Sequence, residues 1–227
     1  CSENSMAAIS TRNLTPLSEV DSLKARLQSL AVLDCILSPD EWDMRYFSFN
    51  AKWGRGEEMG SMRNGSGDDF FAFFNRSGCL LKGFAHESPM TPYRENPPSI
   101  WAGLLEDVPN SFSAALLEPA FSMSDVTFCI WRLYDEKDWS TGKIKFPRSA
   151  DPDGSRYLLG FLDGKPKTYQ SFAEDYYETE LPIDSIKHVY QHRPLTTEIV
   201  ESLNPDATLK MIAKDLKEIG YVTKPAK

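Results

Sequence analysis

Residues 64–93 read NGSGDDFFAFFNRSGCLLKGFAHESPMTPY, and this stretch decides the fold. Asn64-Gly65-Ser66-Gly67 signals a turn, because Asn and Gly tolerate the backbone angles that tight turns require. Phe70–Phe74 is apolar at every position, too apolar for a strand with one wet face, which predicts a central strand. Asn75–Gly78 turns the chain and Cys79–Phe84 returns. In an antiparallel hairpin the start of one strand lies beside the end of the next. Asp68 and Asp69 are therefore expected near Ala85 and His86. Pro89–Pro98, with four prolines, leaves as a surface loop.

Working outward, Met44–Phe49 reads as a strand and Glu58–Met62 as its return, joined by a turn at Trp53, Gly54 and Gly56. With the two strands above, this makes a four-strand antiparallel meander. Upstream, Thr15 suits a helix N-cap and Pro16 the first helical position. Leu17, Val20, Leu23, Leu27 and Leu30 then form one face, and Asp34–Ser38 carries the helix to its end before Pro39. Downstream, Ser99–Asp107 reads as a short helix and Pro109–Leu117 as another helical turn. Val126–Leu133 reads as a strand, Lys143–Phe146 as its partner and Tyr157–Leu162 as a last strand. After Gly164 the pattern becomes helical, over Tyr169–Tyr176, Pro182–Tyr190, Thr196–Leu203 and a final helix from Asn204 that Gly220 stops. The expected class is α+β, an antiparallel β meander flanked by an N-terminal helix and a C-terminal cluster of helices. Residues 1–13 are expected to be a disordered leader or tether. Residues 14–227 are expected to form a single domain, with 165–222 as a candidate helical subdomain.

Composition narrows the function classes. The chain of 227 residues is 41% hydrophobic and 26% charged, ordinary for a globular protein. A net charge of −8 disfavours nucleic acid, whose phosphates call for Lys and Arg on the contact face. The same charge disfavours anionic membrane surfaces and suits a basic protein partner. No run of eighteen apolar residues is present to span a membrane. Cys35, Cys79 and Cys129 sit among apolar neighbours and read as buried thiols, which suits a cytoplasmic location. No CxxC occurs and only three His are present, so neither a metal site nor a cofactor is expected. Cys1 leaves an alternative open, a processed lipoprotein anchored through its first residue with Ser2–Ser5 as tether. A start at Met6 is the other reading.

Several groups of residues bear on chemistry. Asn64–Asp69 resembles a phosphate-cradling loop only loosely, because it lacks the lysine and a strand follows where a helix is needed. His86-Glu87-Ser88 ends a strand, and His is the usual acid–base group near neutral pH. His86, Glu87, Asp68 and Asp69 are the catalytic candidates. His188 and His192 share a helical spacing without the pattern of a metalloprotease. Asp151–Ser155 opens like a calcium loop, but its twelfth position is Leu162, where a carboxylate is needed. Trp131 reads as core. Trp53 and Trp139 stand in turns as candidate anchors for a partner, and Trp53, Glu57, Glu58, Asp68, Asp69 and Trp139 form the expected binding set.

The segments YFSFNAKWG, NGSGDDFFAFF, KGFAHES, VTFCIWR, DPDGS and PLTTEIVESLNP together resemble a family of uncharacterised bacterial proteins, across about Leu14–Tyr221. The resemblance implies no activity, ligand or catalytic residue. By analogy with acidic proteins encoded beside secreted toxins, it suggests an immunity-type inhibitor or adaptor. The favoured expectation is thus a non-catalytic acidic protein-binding domain. The alternative is a hydrolase or small-ligand-binding protein built around His86 and Asp68/Asp69.

Overall fold

The turns predicted on either side of Phe70–Phe74 are both formed. The structure, a computed structural model, describes residues 8–222, so the readings on Cys1, Ser2–Ser5 and Met6 lie outside it. Strands β1 (Phe47–Gly54), β2 (Glu57–Arg63), β3 (Asp69–Asn75), β4 (Gly78–Phe84), β5 (Phe128–Leu133) and β6 (Ser140–Thr141) follow chain order in one antiparallel sheet. The helices are α1 (Val20–Leu37), α2 (Ser113–Leu117), α3 (Ser155–Gly160), α4 (Pro166–Tyr176), α5 (Ile183–Tyr190), α6 (Thr197–Leu203) and α7 (Ala213–Ile219). This is the expected α+β class. No helix among the described residues is long and apolar enough to cross a membrane. The chain divides into two compact units, Cys1–Val20 with Ser66–Asp163 and Asp21–Gly65 with Gly164–Lys227.

In the first unit, β3 and β4 pair in register from Asp69↔Phe84 to Asn75↔Gly78. Every residue of β4 is buried. Phe121 stacks on Phe71 with ring centroids 5.2 Å apart and meets Phe73 edge-on at 6.1 Å, covering the face that alternate residues of β3 share. Gly83 lies opposite Phe128 on β5, and a Cβ there would stand only 2.1 Å from Phe128 Cζ, so only glycine fits. Lys82 is completely buried at the centre of β4. Its ammonium reaches Asp69 Oδ1 at 3.0 Å and the Asp125 carbonyl at 2.8 Å, and lies 5.2 Å from the centroid of the Phe71 ring. A buried charge needs such partners to offset lost hydration.

Tyr157–Leu162 is helical instead of a strand. Asp151 accepts the backbone N–H groups of Arg156 and Tyr157, and Asp153 accepts that of Ser155, so the orphan donors of a first helical turn are satisfied. Leu158, Leu159 and Leu162 then bury on one side. Residues 8–13, which fall within the expected leader, are held against the first unit. Thr11 is buried, donates its hydroxyl to Asp153 Oδ2 at 2.5 Å, and gives its N–H to Ser155 Oγ at 3.0 Å. Burial pushes the Asp153 carboxyl above its ordinary range, and the Ser155 and Thr11 hydroxyls pull it back. Ser99–Asp107 forms turns instead of a helix, and β6 pairs at Ser140–Thr141, earlier than Lys143–Phe146.

In the second unit, α1 buries Leu23, Leu27, Leu30, Val32, Leu33 and Ile36. Gly60 of β2 lets Leu27 approach, since a Cβ there would already stand 3.0 Å from Leu27 Cδ1. Asp34 is buried too, on the face that Leu23, Leu27 and Leu30 share. It accepts the Phe47 N–H at 2.8 Å and the Tyr169 hydroxyl at 2.7 Å. Burial raises its pKa to about 6, against the pull of those donors. Tyr46, Phe47, Phe172 and Tyr176 pack ring to ring around this point. Asn204 does not start the last helix. Its amide donates to the Ile36 carbonyl near the end of α1 and its oxygen accepts from Asp206 N, while α7 begins at Ala213. Gly220 closes α7 in the left-handed conformation, as expected. The first helix itself starts at Val20 instead of Thr15, because Leu14–Leu17 closes as an isolated turn and the Ser18 carbonyl is taken by the Trp139 indole N–H.

Candidate functional site

The hairpin brings the predicted acid and histidine together. Asp69 pairs with Phe84, so Asp68 and His86, one and two residues further out, lie at the same end of β3–β4. Asp68 Oδ1 lies 2.7 Å from His86 Nδ1 and also accepts the His86 backbone N–H at 2.9 Å. One carboxylate oxygen thus holds both the ring and the main chain of His86. Gly67, at φ 108°, sits against this ring, and a Cβ there would approach it to 3.3 Å. The His86 side chain is 40% exposed and that of Asp68 17%, so the ring faces water while its acid is sheltered. Glu87 is exposed and stands 3.8 Å from His86 Nε2.

The other members of the expected catalytic and binding sets are occupied otherwise. Asp69 neutralises Lys82 and serves the core of β4. Ser88 is buried, and its hydroxyl accepts the Met90 N–H. Trp139 is no exposed anchor: it is only 7% exposed, and its indole N–H donates to the Ser18 carbonyl at 2.8 Å. Glu58 is paired with Lys24 at 3.0 Å, and Trp53 and Glu57 are half-buried at the β1–β2 turn. Trp53, Glu57 and Glu58 belong to the second unit, whereas Asp68, Asp69, His86, Glu87 and Trp139 belong to the first. The remaining histidines hold main chain. His188 donates to the Pro194 carbonyl at 3.0 Å and His192 to that of Ala25 at 2.6 Å. Among the described residues no three His, Cys, Asp or Glu side chains are arranged to hold a metal ion.

A second feature was not predicted. In the second unit a groove of about 470 Å³ opens over β1 and β2, lined among others by Trp42, Arg45, Tyr46, Arg63, Asp215 and Glu218. Its volume falls within the range of about 300–1,000 Å³ typical of ligand sites. Ser48 and Ser61, opposite each other across the two strands, join hydroxyls at 2.7 Å on its floor. Arg45 is fixed in place, donating to the carbonyls of Ser38 and Pro39 at 2.8 Å each and to Asp215 Oδ2 at 3.1 Å. The adjacent Cys35 donates to the same carboxylate oxygen, and burial raises its thiol pKa far above the usual value. At the edge of the groove Trp42, in a 3-10 turn over Trp42–Met44, is 75% exposed, and Met44 next to it is 44% exposed. Trp, Tyr, Met and Arg are the residues enriched where proteins meet. No local pattern marks Trp42 as exposed. The only sequence signal was the polar run Pro39–Asp43, which argues against a buried strand.

Compared with models of protein families, with curated proteins and with solved structures, the chain matches none of them.

Proposed function

We propose that this chain is a non-catalytic, acidic protein-binding domain that engages its partner through the Trp42 groove. The observation that carries this reading is the exposed indole beside a fixed, ion-paired arginine at the mouth of a preformed groove. A rigid aromatic anchor loses little side-chain freedom on binding, and a pre-positioned arginine adds directional hydrogen bonding. The net charge of −8 favours a basic partner, because complementary charge speeds encounter. The resemblance to uncharacterised bacterial proteins suggests, by analogy, a cytoplasmic immunity-type inhibitor or adaptor. The test is a cross-linking pull-down with wild type and Trp42→Ala side by side. Loss of a specific protein from the variant, with thermal stability unchanged, supports the reading. Recovery of the same proteins by both forms removes the groove from the interface.

A second reading, a hydrolase or small-ligand-binding site at His86, is favoured by the 2.7 Å contact with Asp68. An imidazole held by a carboxylate is the usual form of a general base. A panel of chromogenic esters and phosphates tests it. Turnover that disappears in His86→Gln supports a hydrolase, and no turnover above buffer sets that part of the reading aside.

A further inference from the structure

The protein is strongly acidic, yet one cleft in the first unit is lined by an excess of positive charge. This cavity of about 340 Å³ lies beside residues 11–17 and the approach to β6, and Arg12, Arg132 and Lys137 line it against a single carboxylate, Asp138. None of the three cations is ion-paired with a carboxylate among the described residues, unlike Lys24, Arg45 and Lys82. Two of them are instead held by main chain. The Arg12 guanidinium donates to the carbonyls of Ser149 and Ala150, and Arg132 Nε donates to the Glu136 carbonyl at 3.2 Å. Carbonyl acceptors fix the direction of a guanidinium without cancelling its charge, and each fork still has N–H donors to spare. Thr141 and Trp139 are also part of the lining, and the Trp139 indole is itself anchored through Ser18.

We propose that this cleft binds a small phosphorylated solute. A phosphate group carries close to two negative charges and three acceptor oxygens, which matches two guanidinium forks and an ammonium, the Thr141 hydroxyl being already committed to the Cys129 carbonyl. The volume is at the low end for ligand sites, which limits the occupant to a compact molecule. The site lies in a different unit from the Trp42 groove, so it stands or falls independently of the proposed partner.

The experiment is a titration of the full chain followed through the Trp139 indole N–H in ¹H–¹⁵N spectra, with pyrophosphate and glycerol 3-phosphate as probes and citrate as the carboxylate control at equal ionic strength. Saturable shifts of the Trp139 resonance by the phosphate probes are expected, with apparent affinity at least tenfold weaker in Arg132→Gln/Lys137→Gln. Both side chains are at least partly exposed, and the fold of the variant is checked by its unperturbed upfield methyl signals. Tighter binding of citrate than of either phosphate compound overturns the ligand class. A Trp139 resonance that does not move, or moves equally in the variant, overturns the site.

Discussion

Replacing Asp34 by asparagine isolates the cost of one buried charge. The carboxyl is wholly buried, and burial raises its pKa from 3.8 to about 6. That difference corresponds to about 3 kcal/mol. Because the folded pKa is the higher one, the associated stability is fully present below pH 3.8 and is lost as pH rises through about 6. The asparagine amide has no proton to lose. It does bring an –NH2 group toward the Phe47 N–H or the Tyr169 hydroxyl, so the variant carries a constant penalty of about 1–3 kcal/mol for one mismatched hydrogen bond. Urea unfolding of both proteins between pH 4 and 7.5, read by tryptophan fluorescence, separates the two effects. The advantage of wild type over Asp34→Asn is expected to shrink by up to about 3 kcal/mol from pH 4 to pH 7, with most of the change between pH 4 and 6.5. A stability difference that stays flat over that interval would show that Asp34 ionises as freely in the folded protein as in the unfolded one, and would refute the reasoning.

Three further outcomes are expected. Lys82→Ala strips Asp69 of its partner and leaves a hole in β4, lowering stability by about 3 kcal/mol in denaturant melts, and Lys82→Met with Asp69→Asn recovers much of the loss. Gly83→Ala collides with the Phe128 ring and costs about 2 kcal/mol, a loss that Phe128→Leu in the same chain reduces. Cys129, whose thiol is pushed up to about 12 by burial, is expected to resist alkylation in the native protein along with the buried Cys35 and Cys79. Peptide mass spectrometry with and without urea checks this, and rapid native labelling at any of the three contradicts their placement.

The meander was legible because its signals are local. Asn64–Gly67 and Asn75–Gly78 punctuate runs that are apolar throughout, and pairing across two short turns leaves little freedom of register. That register alone placed Asp68 beside His86. The error at Tyr157–Leu162 has an equally specific origin. YLLGFL is too short for its period to separate a buried strand from a helix, and the deciding groups, Asp151 and Asp153, lie upstream as caps. Trp139 was misplaced because the charges around it read as solvent, whereas its indole finds the Ser18 carbonyl more than a hundred residues away in the chain. The Trp42 groove and the cationic cleft both depend on segments far apart in sequence, and no spacing rule reaches across such distances.

The interleaving of the two units has a consequence for how the chain comes off the ribosome. Once Asp163 has been synthesised, every residue of the first unit exists, while the second has only Asp21–Gly65. Helix α1 must then wait for Tyr169 and Asn204, the partners that take up Asp34 and the Ile36 carbonyl. A nascent chain paused at this stage presents the leucine stripe of α1 without those partners, and chaperone capture is expected to peak there. Fragments cut at Gly164 yield one half that holds the whole first unit with residues 21–65 of the second, and another that holds α4–α7 and no strand among the described residues.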